Sequence, residues 1–223
     1  MTSHFKKLLC LILCFVLILS NVPAAMALEN QTDKAYDIYP VVREINYDGT
    51  EFQIGDQVYL VYETGIDDAT RNYLEEVLAE NGITATVADV PVEGAFNILV
   101  GINGSGEAAD AYEDSLTLKT ADLYENYDSY VLEAKDDQIT IVGQDTDAAF
   151  CGVATLKMML SSFADDVLLG AQIEDWAGIE FRGFVEGFYG GWDYETRAEL
   201  MTFARDVKMN MYVYASKTDA ESR

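Results

Sequence analysis

RGFVEGFYGGWDYETRAELMTFARDVKMNMYVYASK, residues 182–217, has the pattern of a strand, a loop, an amphipathic helix and a second strand. The first strand covers 182–186, and the loop after it is rich in glycine and aromatic residues. Apolar residues recur at helical spacing over 194–207, with Asp193 as the N-cap. The second strand covers 211–214. The stretch therefore predicts one βαβ unit.

A βαβ unit is the building block of a (β/α) barrel, and barrel enzymes place their active sites at the carboxyl ends of the strands. Here the loop 187–192 leaves one strand end, and residues 215–217 leave the other. A loop this rich in glycine and aromatic side chains is typical of a site that binds sugar. The pattern thus predicts that carbohydrate binds where the two segments meet.

The motif RGFVEGFYG, a tryptophan two residues later, a helix and then NxYxYAxK resembles the first βαβ unit of the catalytic barrel in family-84 glycoside hydrolases. That family comprises β-N-acetylglucosaminidases, including hyaluronidase-like toxins and protein O-GlcNAcases. The resemblance implies that Gly187, through its backbone carbonyl, and Lys217, through its ammonium, bind hydroxyls of an N-acetylglucosamine ring. The wall of the site would then comprise Glu186, Tyr189, Trp192 and Tyr214.

The resemblance also implies substrate-assisted, retaining hydrolysis, in which the 2-acetamido oxygen attacks the anomeric carbon. Two adjacent aspartates at the end of a later strand would orient the acetamido group and protonate the leaving oxygen. A complete barrel takes about 250 residues, so we expect residues 176–223 to be the start of an incomplete (β/α)8 TIM barrel. The catalytic pair would fall beyond Arg223, no catalytic residue is assigned within this chain, and the chain alone is expected to be inactive.

Residues 37–175 are predicted to form a separate α/β domain in front of the barrel. They resemble the small α/β domain that precedes the barrel in family-84 and family-20 hexosaminidases, most clearly over QDTDAAFCGVATL at 144–156. Trp176 is expected to pack between this domain and the barrel. The predicted strands are 38–45, 51–54, 57–62, 83–88, 96–102, 128–134 and 138–143, with a turn at 47–50 and helices at 67–80 and 145–163.

The N-terminus has the pattern of a secretion signal over residues 1–27. Lys6 and Lys7 precede an apolar run at 8–19, and Ala25-Met26-Ala27 is a small-residue cleavage site. The alternative is an uncleaved anchor, but the run is shorter than the roughly 20 residues that span a membrane. We therefore expect a secreted protein without a stable membrane anchor, cleaved after Ala27 and with a disordered leader at 28–36.

Composition excludes several classes of function. The formal net charge of −25 disfavours nucleic acid and anionic surfaces, and also favours neutral N-acetylglucosamine-containing glycans or glycoproteins over polyanions. The alternative is that the acidity simply keeps a secreted protein soluble. The single histidine, His4, lies in the signal, so the mature chain has no histidine for a catalytic triad or a zinc site. No metal or cofactor is expected. Cleavage would leave Cys151 as the one cysteine, in an apolar helix where a buried thiol is typical.

Two short patterns are interpreted as turns. The glycine-rich 101–106 lacks the spacing and the lysine of a phosphate-binding loop, and the acidic pair Asp136-Asp137 lies at a hairpin tip.

Two other functions remain open. The chain could be a secreted carbohydrate-binding or interaction module, although an isolated βαβ unit would leave the inner strand face uncovered at Phe184, Met211 and Val213. It could also belong to a family-20 hexosaminidase, which has the same domain order but an Asp-Glu catalytic pair.

Overall fold

The computed structural model describes residues 34–163, 167–187 and 191–215, so the predicted signal at 1–27 lies outside it. The strands are β1 (Glu44–Gln53), β2 (Gln57–Tyr62), β3 (Thr84–Val87), β4 (Asn97–Ile102), β5 (Tyr127–Ala134), β6 (Gln138–Gly143), β7 (Val167–Ala177), β8 (Gly183–Glu186) and β9 (Met211–Tyr214). The α-helices are α1 (Asp68–Glu80), α2 (Ala108–Glu113), α3 (Thr146–Ser161) and α4 (Tyr194–Asp206), with one 3₁₀ turn at Leu123–Glu125. The fold is α/β, as predicted.

Strands β1 to β7 form one mixed sheet in the order β1-β7-β5-β6-β4-β2-β3. The half made of β3, β2, β4 and β6 is parallel, whereas β5 and β7 pair antiparallel, as do β7 and β1. The predicted hairpin is β5 and β6, joined by the turn that carries Asp136 and Asp137. Strands β8 and β9 form a second, separate parallel pair.

Both faces of the large sheet are covered, because alternate side chains of its central strands point into two different cores. In β4, Ile98 and Val100 pack with α1 and α3, whereas Leu99 packs on the opposite face near α2. The larger core contains apolar residues of α1 and α3, among them Leu74 and Leu156. Central strands buried on both faces have nearly continuous apolar sequences, which is why 97–102 and 138–143 are recognisable as strands.

Local sequence signals account for the positions of the helices. Asp67 caps α1 by accepting a hydrogen bond from the Thr70 amide at 2.8 Å, and Asp145 caps α3 in the same way from Ala148 at 2.9 Å. Helix α1 ends at Asn81 and Gly82, and Gly82 has a positive φ of 74°. Both helices were predicted from the sequence within two residues at each end.

Five details of the α/β domain differ from the sequence prediction. Strand β1 starts at Glu44 rather than at 38 and continues through the predicted turn at 47–50, because a bulge with Gly49 at positive φ keeps it paired to β7. The predicted strand 83–88 is apolar enough for a central position, but strand β3 lies at the sheet edge. Helix α2 and strand β7 were not predicted. Tyr36, placed in a disordered leader, is buried, and its hydroxyl donates to the Leu169 carbonyl at 2.6 Å.

One set of contacts between the β8-α4-β9 unit and the α/β domain is made by α4. Arg205 of α4 makes a two-pronged ion pair with Glu76 of α1, both contacts at 2.9 Å. Asp206 accepts from Tyr73 of α1 at 2.8 Å and from Lys157 of α3 at 3.0 Å. Helix α4 therefore lies against α1 and α3.

Within the described ranges, the helices are each too short or too polar to cross a membrane.

Candidate functional site

The carboxyl ends of β8 and β9 lie side by side, because the two strands run parallel with Glu186 paired to Tyr214. Gly187, the first residue after β8, is exposed at this edge. The described parts of the two segments that the sequence marks for sugar binding therefore lie at one end of the βαβ unit. This is the end at which (β/α) barrels place their active sites.

Glu186 is fully buried at the end of β8 and accepts four hydrogen bonds. Arg197 donates to both of its oxygens, from Nε at 2.7 Å and from Nη2 at 2.9 Å. The Trp192 amide donates at 2.7 Å, and the Tyr212 hydroxyl donates to Oε2. These bonds, first those from Arg197, lower the pKa of Glu186 to about 2. At neutral pH Glu186 is thus a fully bonded carboxylate with no proton to transfer.

Helix α4 brings Arg197 to Glu186. Asp193 caps the helix by accepting from the Thr196 amide at 2.8 Å, and Arg197 follows one residue later on the helix. The side chains of Phe184, Glu186 and Tyr212 lie on the strand face that is turned toward α4, since Phe184 and Tyr212 are 5.2 Å apart between ring centres and Glu186 bonds to the helix. Glu186 therefore points into the space between strand and helix.

The opposite face of β8 and β9 carries Val185 and Val213, which are 49% and 37% exposed. Met211 is similarly exposed. Phe184, expected on the same uncovered face, lies instead toward α4, because residues alternate between the two faces of a strand and Phe184 shares its face with Glu186.

The predicted wall residues fall into three groups. Trp192 lies with its ring 6.0 Å from that of Phe184, and Tyr214 is 40% exposed with the Arg197 guanidinium 5.1 Å from its ring centre. Glu186 is close to both but buried. Tyr189, the remaining wall residue, lies outside the described residues, as does Lys217, which was predicted to bind a ring hydroxyl. The sugar-binding roles of these residues and of Gly187 remain predictions.

Arg197 and Tyr212 complete the site, and neither was predicted from the sequence. The pattern could have identified them, since Tyr212 is two residues from Tyr214 on β9 and Arg197 is the first cation of the helix that follows Glu186. A carboxylate buried at a strand end needs such a partner, because an unpaired buried charge is costly.

A second polar cluster lies at the other end of the βαβ unit, where it meets the α/β domain. Arg182, just before β8, pairs with Asp128 of β5. Lys208, between α4 and β9, pairs with Asp175 of β7 at 2.8 Å. These residues line a cavity of about 210 Å³ together with Trp176 and the buried thiol of Cys151. Trp176 packs against Arg43, whose guanidinium carbon is 5.5 Å from a ring centre.

Two different family models match the α/β domain and the βαβ unit of the chain. Residues 35–176 match the model of glycosyl hydrolase family 20, domain 2. That match covers more than half of the sequence. The chain therefore belongs to the domain family described as glycosyl hydrolase family 20, domain 2. Residues 182–223 match a second model, that of beta-N-acetylglucosaminidase. The α/β part thus matches a hexosaminidase domain 2, and the βαβ part matches the β-N-acetylglucosaminidase model.

Solved structures confirm the resemblance to family 84. CpGH84D is 38% identical, with a TM-score of 0.79 over 84% of this chain and 32% of its own. CpGH84B is 27% identical, with a TM-score of 0.68 over 83% of this chain and 30% of its own. The family-20 exo-β-N-acetylglucosaminidase of Vibrio harveyi shares the fold, with a TM-score of 0.62 at 16% identity over 82% of this chain and 26% of its own.

The chain therefore resembles part of a family-84-type hexosaminidase, and its residues 182–223 match the model of beta-N-acetylglucosaminidase. It spans about a third of the length of the solved chains it matches. Across the described residues, histidine, cysteine, aspartate and glutamate do not cluster in threes as a metal site would require.

Proposed function

We propose that this chain is part of a secreted β-N-acetylglucosaminidase, to which it contributes the α/β domain and the first βαβ unit of the catalytic barrel. The observation that carries the proposal is the match of residues 182–223 to that enzyme family, on a stretch whose described part is a parallel βαβ unit. The higher identity to CpGH84D than to the Vibrio harveyi enzyme favours family 84 over family 20.

In this proposal the carboxyl ends of β8 and β9 bind an N-acetylglucosamine ring. The backbone carbonyl of Gly187 and the ammonium of Lys217 hold ring hydroxyls, while Tyr189, Trp192 and Tyr214 line the site. The exposure of Gly187 and Tyr214 at one edge supports this assignment. The buried, fully bonded state of Glu186 supports a structural role for it rather than that of a proton donor.

The proposed chemistry divides binding from cleavage. Two adjacent aspartates, which the family resemblance assigns to a later strand, would orient the acetamido group and protonate the leaving oxygen. The chain by itself is then expected to bind the sugar without cleaving it. With a formal net charge of −25, it should prefer neutral N-acetylglucosaminides, since a polyanion such as hyaluronan would be repelled over long range.

Binding is tested with the purified chain by saturation-transfer NMR on N-acetylglucosamine, with glucose as the control sugar. We expect saturable binding of N-acetylglucosamine, weakened in Lys217→Met, and no release of nitrophenol from a nitrophenyl β-N-acetylglucosaminide. Equal responses to the two sugars would contradict a site for the acetamido sugar. Hydrolysis by the chain alone would contradict the division between binding and cleavage.

The gene tests the enzyme as a whole. Downstream of the codon for Arg223 we expect the reading frame to continue to an Asp-Asp pair at the end of a later strand. An Asp-Glu pair at that place would instead indicate a family-20 enzyme. A stop codon would leave only the carbohydrate-binding module. Secretion is tested separately, by N-terminal sequencing of the protein from culture medium, which should begin at Leu28.

A further inference from the structure

We propose that Glu186 and Arg197 are positioning residues for the sugar site, and that they hold Trp192 and Tyr214 in fixed places at the ends of β8 and β9. This inference rests on the proposed function, because it assigns the pair a task in binding the sugar ring. It goes further in naming two residues that do not touch the sugar but set the geometry of those that do. We call the group formed by Glu186, Arg197, Tyr212 and the Trp192 amide the Glu186 clamp.

The clamp joins three separate segments through one carboxylate. Its donors come from the residue before the α4 cap (Trp192), from α4 itself (Arg197) and from β9 (Tyr212). An ionised carboxylate offers about four acceptor positions, and all four are filled. Bidentate pairing with arginine fixes direction as well as distance, because the guanidinium is planar and its donors form a rigid fork.

Each half of the clamp also fixes one of the predicted wall residues. The Trp192 amide donates to Glu186 at 2.7 Å while its ring packs 6.0 Å from Phe184. The Arg197 guanidinium that bonds to Glu186 also lies 5.1 Å from the ring centre of Tyr214. Loss of the Glu186 charge should therefore release both aromatic side chains at once.

Helix α4 contains a natural control. Arg205 makes a bidentate ion pair with Glu76 that has the same chemistry as the clamp, with both contacts at 2.9 Å. This second pair lies at the C-terminal end of the helix, against α1, and away from the carboxyl ends of β8 and β9. If a bidentate pair on α4 acted only through helix stability, Glu76→Gln and Glu186→Gln would have the same effects on the sugar site.

The experiment uses fluorescence, because the chain has two tryptophans and Trp176→Phe leaves Trp192 as the sole one. In this background we would compare Glu186→Gln, Tyr212→Phe and Glu76→Gln. Two quantities are measured for each: acrylamide quenching of Trp192, and the Kd for N-acetylglucosamine from the change in Trp192 emission. Tyr212→Phe keeps the aromatic ring and removes only the hydroxyl that donates to Glu186. It therefore tests the same hydrogen-bonded group if Glu186→Gln does not fold.

We expect quenching to rise and the Kd to weaken by about tenfold in Glu186→Gln, as for lost hydrogen bonds to a charged group. Tyr212→Phe should shift both in the same direction by less, and Glu76→Gln should change neither. Unchanged quenching in both clamp variants would overturn the positioning role, as would higher quenching with an unchanged Kd. Absence of any N-acetylglucosamine response in the parent chain would instead contradict the proposed function, and the positioning role with it.

Discussion

The ammonium of Lys208 lies 2.8 Å from the carboxylate of Asp175, and both side chains are buried. The same ammonium donates to the Tyr130 hydroxyl at 2.8 Å, and that hydroxyl donates to Asp175 at 3.0 Å. Lys208 precedes β9, whereas its partners belong to β7 and β5. The α/β domain therefore anchors the βαβ unit at the amino ends of β8 and β9, opposite the end that carries the candidate site. In barrels that opposite end serves stability.

Replacement of Lys208 by methionine should destabilise the protein by about 3–5 kcal/mol, because it leaves the Asp175 charge buried without its cation. The free energy of unfolding from urea titration, followed by circular dichroism, measures the loss.

Lys157→Met is the matched control for this change. Lys157 also pairs with carboxylates, Glu80 and Asp206, both at 3.0 Å, but more exposed ones. Asp206 keeps its bonds from Tyr73 and Arg205 when Lys157 is removed. The control should therefore lose about 1 kcal/mol or less. Equal losses of unfolding free energy in the two variants would contradict a special contribution of the Lys208–Asp175 pair to the contact between the βαβ unit and the α/β domain.

Glu63 should be as sensitive as Lys208, although it lies far from the junction. It is buried at the end of β2 and accepts four hydrogen bonds, all at 2.8 Å, from the amides of Ile102, Ala109 and Asp110 and from the Ser105 hydroxyl. In Glu63→Gln the new amide group would face donors instead of accepting from them. We expect a loss of about 2–4 kcal/mol in the free energy of unfolding.

Glu107→Gln provides the comparison for Glu63. Glu107 is exposed and accepts only long hydrogen bonds, at 3.2 and 3.4 Å, from the Thr64 amide. Its replacement should change the free energy of unfolding by less than about 0.5 kcal/mol. A Glu63→Gln variant as stable as Glu107→Gln would show that the loop 101–106 does not need the carboxylate.

Gly183, the first residue of β8, and Gly187, the residue after β8, should respond differently to substitution by alanine. A Cβ at Gly183 would lie 1.7 Å from the carbonyl oxygen of Met211, its paired residue on β9, whereas a Cβ at Gly187 would meet no atom within 4 Å. Gly183→Ala should therefore disrupt the β8-β9 pair. Gly187→Ala should leave it intact and should still bind N-acetylglucosamine, because its proposed contact is a backbone carbonyl.

Amide hydrogen exchange at Phe184 and Val213 would report on the β8-β9 pair in both glycine variants, because the Met211 amide donates to the Arg182 carbonyl and every second amide of a strand faces its partner. We expect faster exchange in Gly183→Ala and unchanged exchange in Gly187→Ala. The reverse order would show that close approach of the strands at Gly183 is not what requires a glycine there.

The elements that the sequence predicted well are those whose signals are local. Helix α1 has an aspartate cap, an apolar face and a glycine stop, and its predicted and observed bounds agree. Strand β7 was missed because its sequence, VLLGAQIEDWA, mixes apolar residues with Gly170 and three polar residues. A Cβ at Gly170 would collide with the side chains of Asp48 and Thr50. The need for glycine at this position therefore becomes visible only when β1 is paired with β7.

The polar contacts between the βαβ unit and the α/β domain were less predictable. Lys208 ends α4 in the left-handed conformation, with φ of 60°, where glycine is the usual residue. The amides of Lys208 and Met209 close the helix by donating to the carbonyls of Arg205 and Ala204. The sequence shows no glycine at this helix end, and the compensating contact to Asp175 joins residues 33 positions apart. Only the packed chain reveals such a pair.

The Glu186 clamp should open in acid. The folded pKa of Glu186, about 2, lies below the value of about 4.3 for an unfolded chain, so the ionised group favours the folded unit. Its contribution is complete above about pH 5 and disappears as the pH falls through about 2. Trp192 emission in the Trp176→Phe background should shift over this window. Glu186→Gln should lack that part of the shift, because its side chain does not ionise.

The parent and the glutamine variant must be compared directly, because other carboxylates titrate in the same range. Hydrogen bonds lower the pKa of Asp193, which caps α4, and those from Arg205 lower the pKa of Glu76. Both groups are present in the parent and in the variant, so they cancel in the difference between the two titrations. A difference that stays constant from neutral pH to about pH 2 would mean that the ionisation of Glu186 does not hold Trp192.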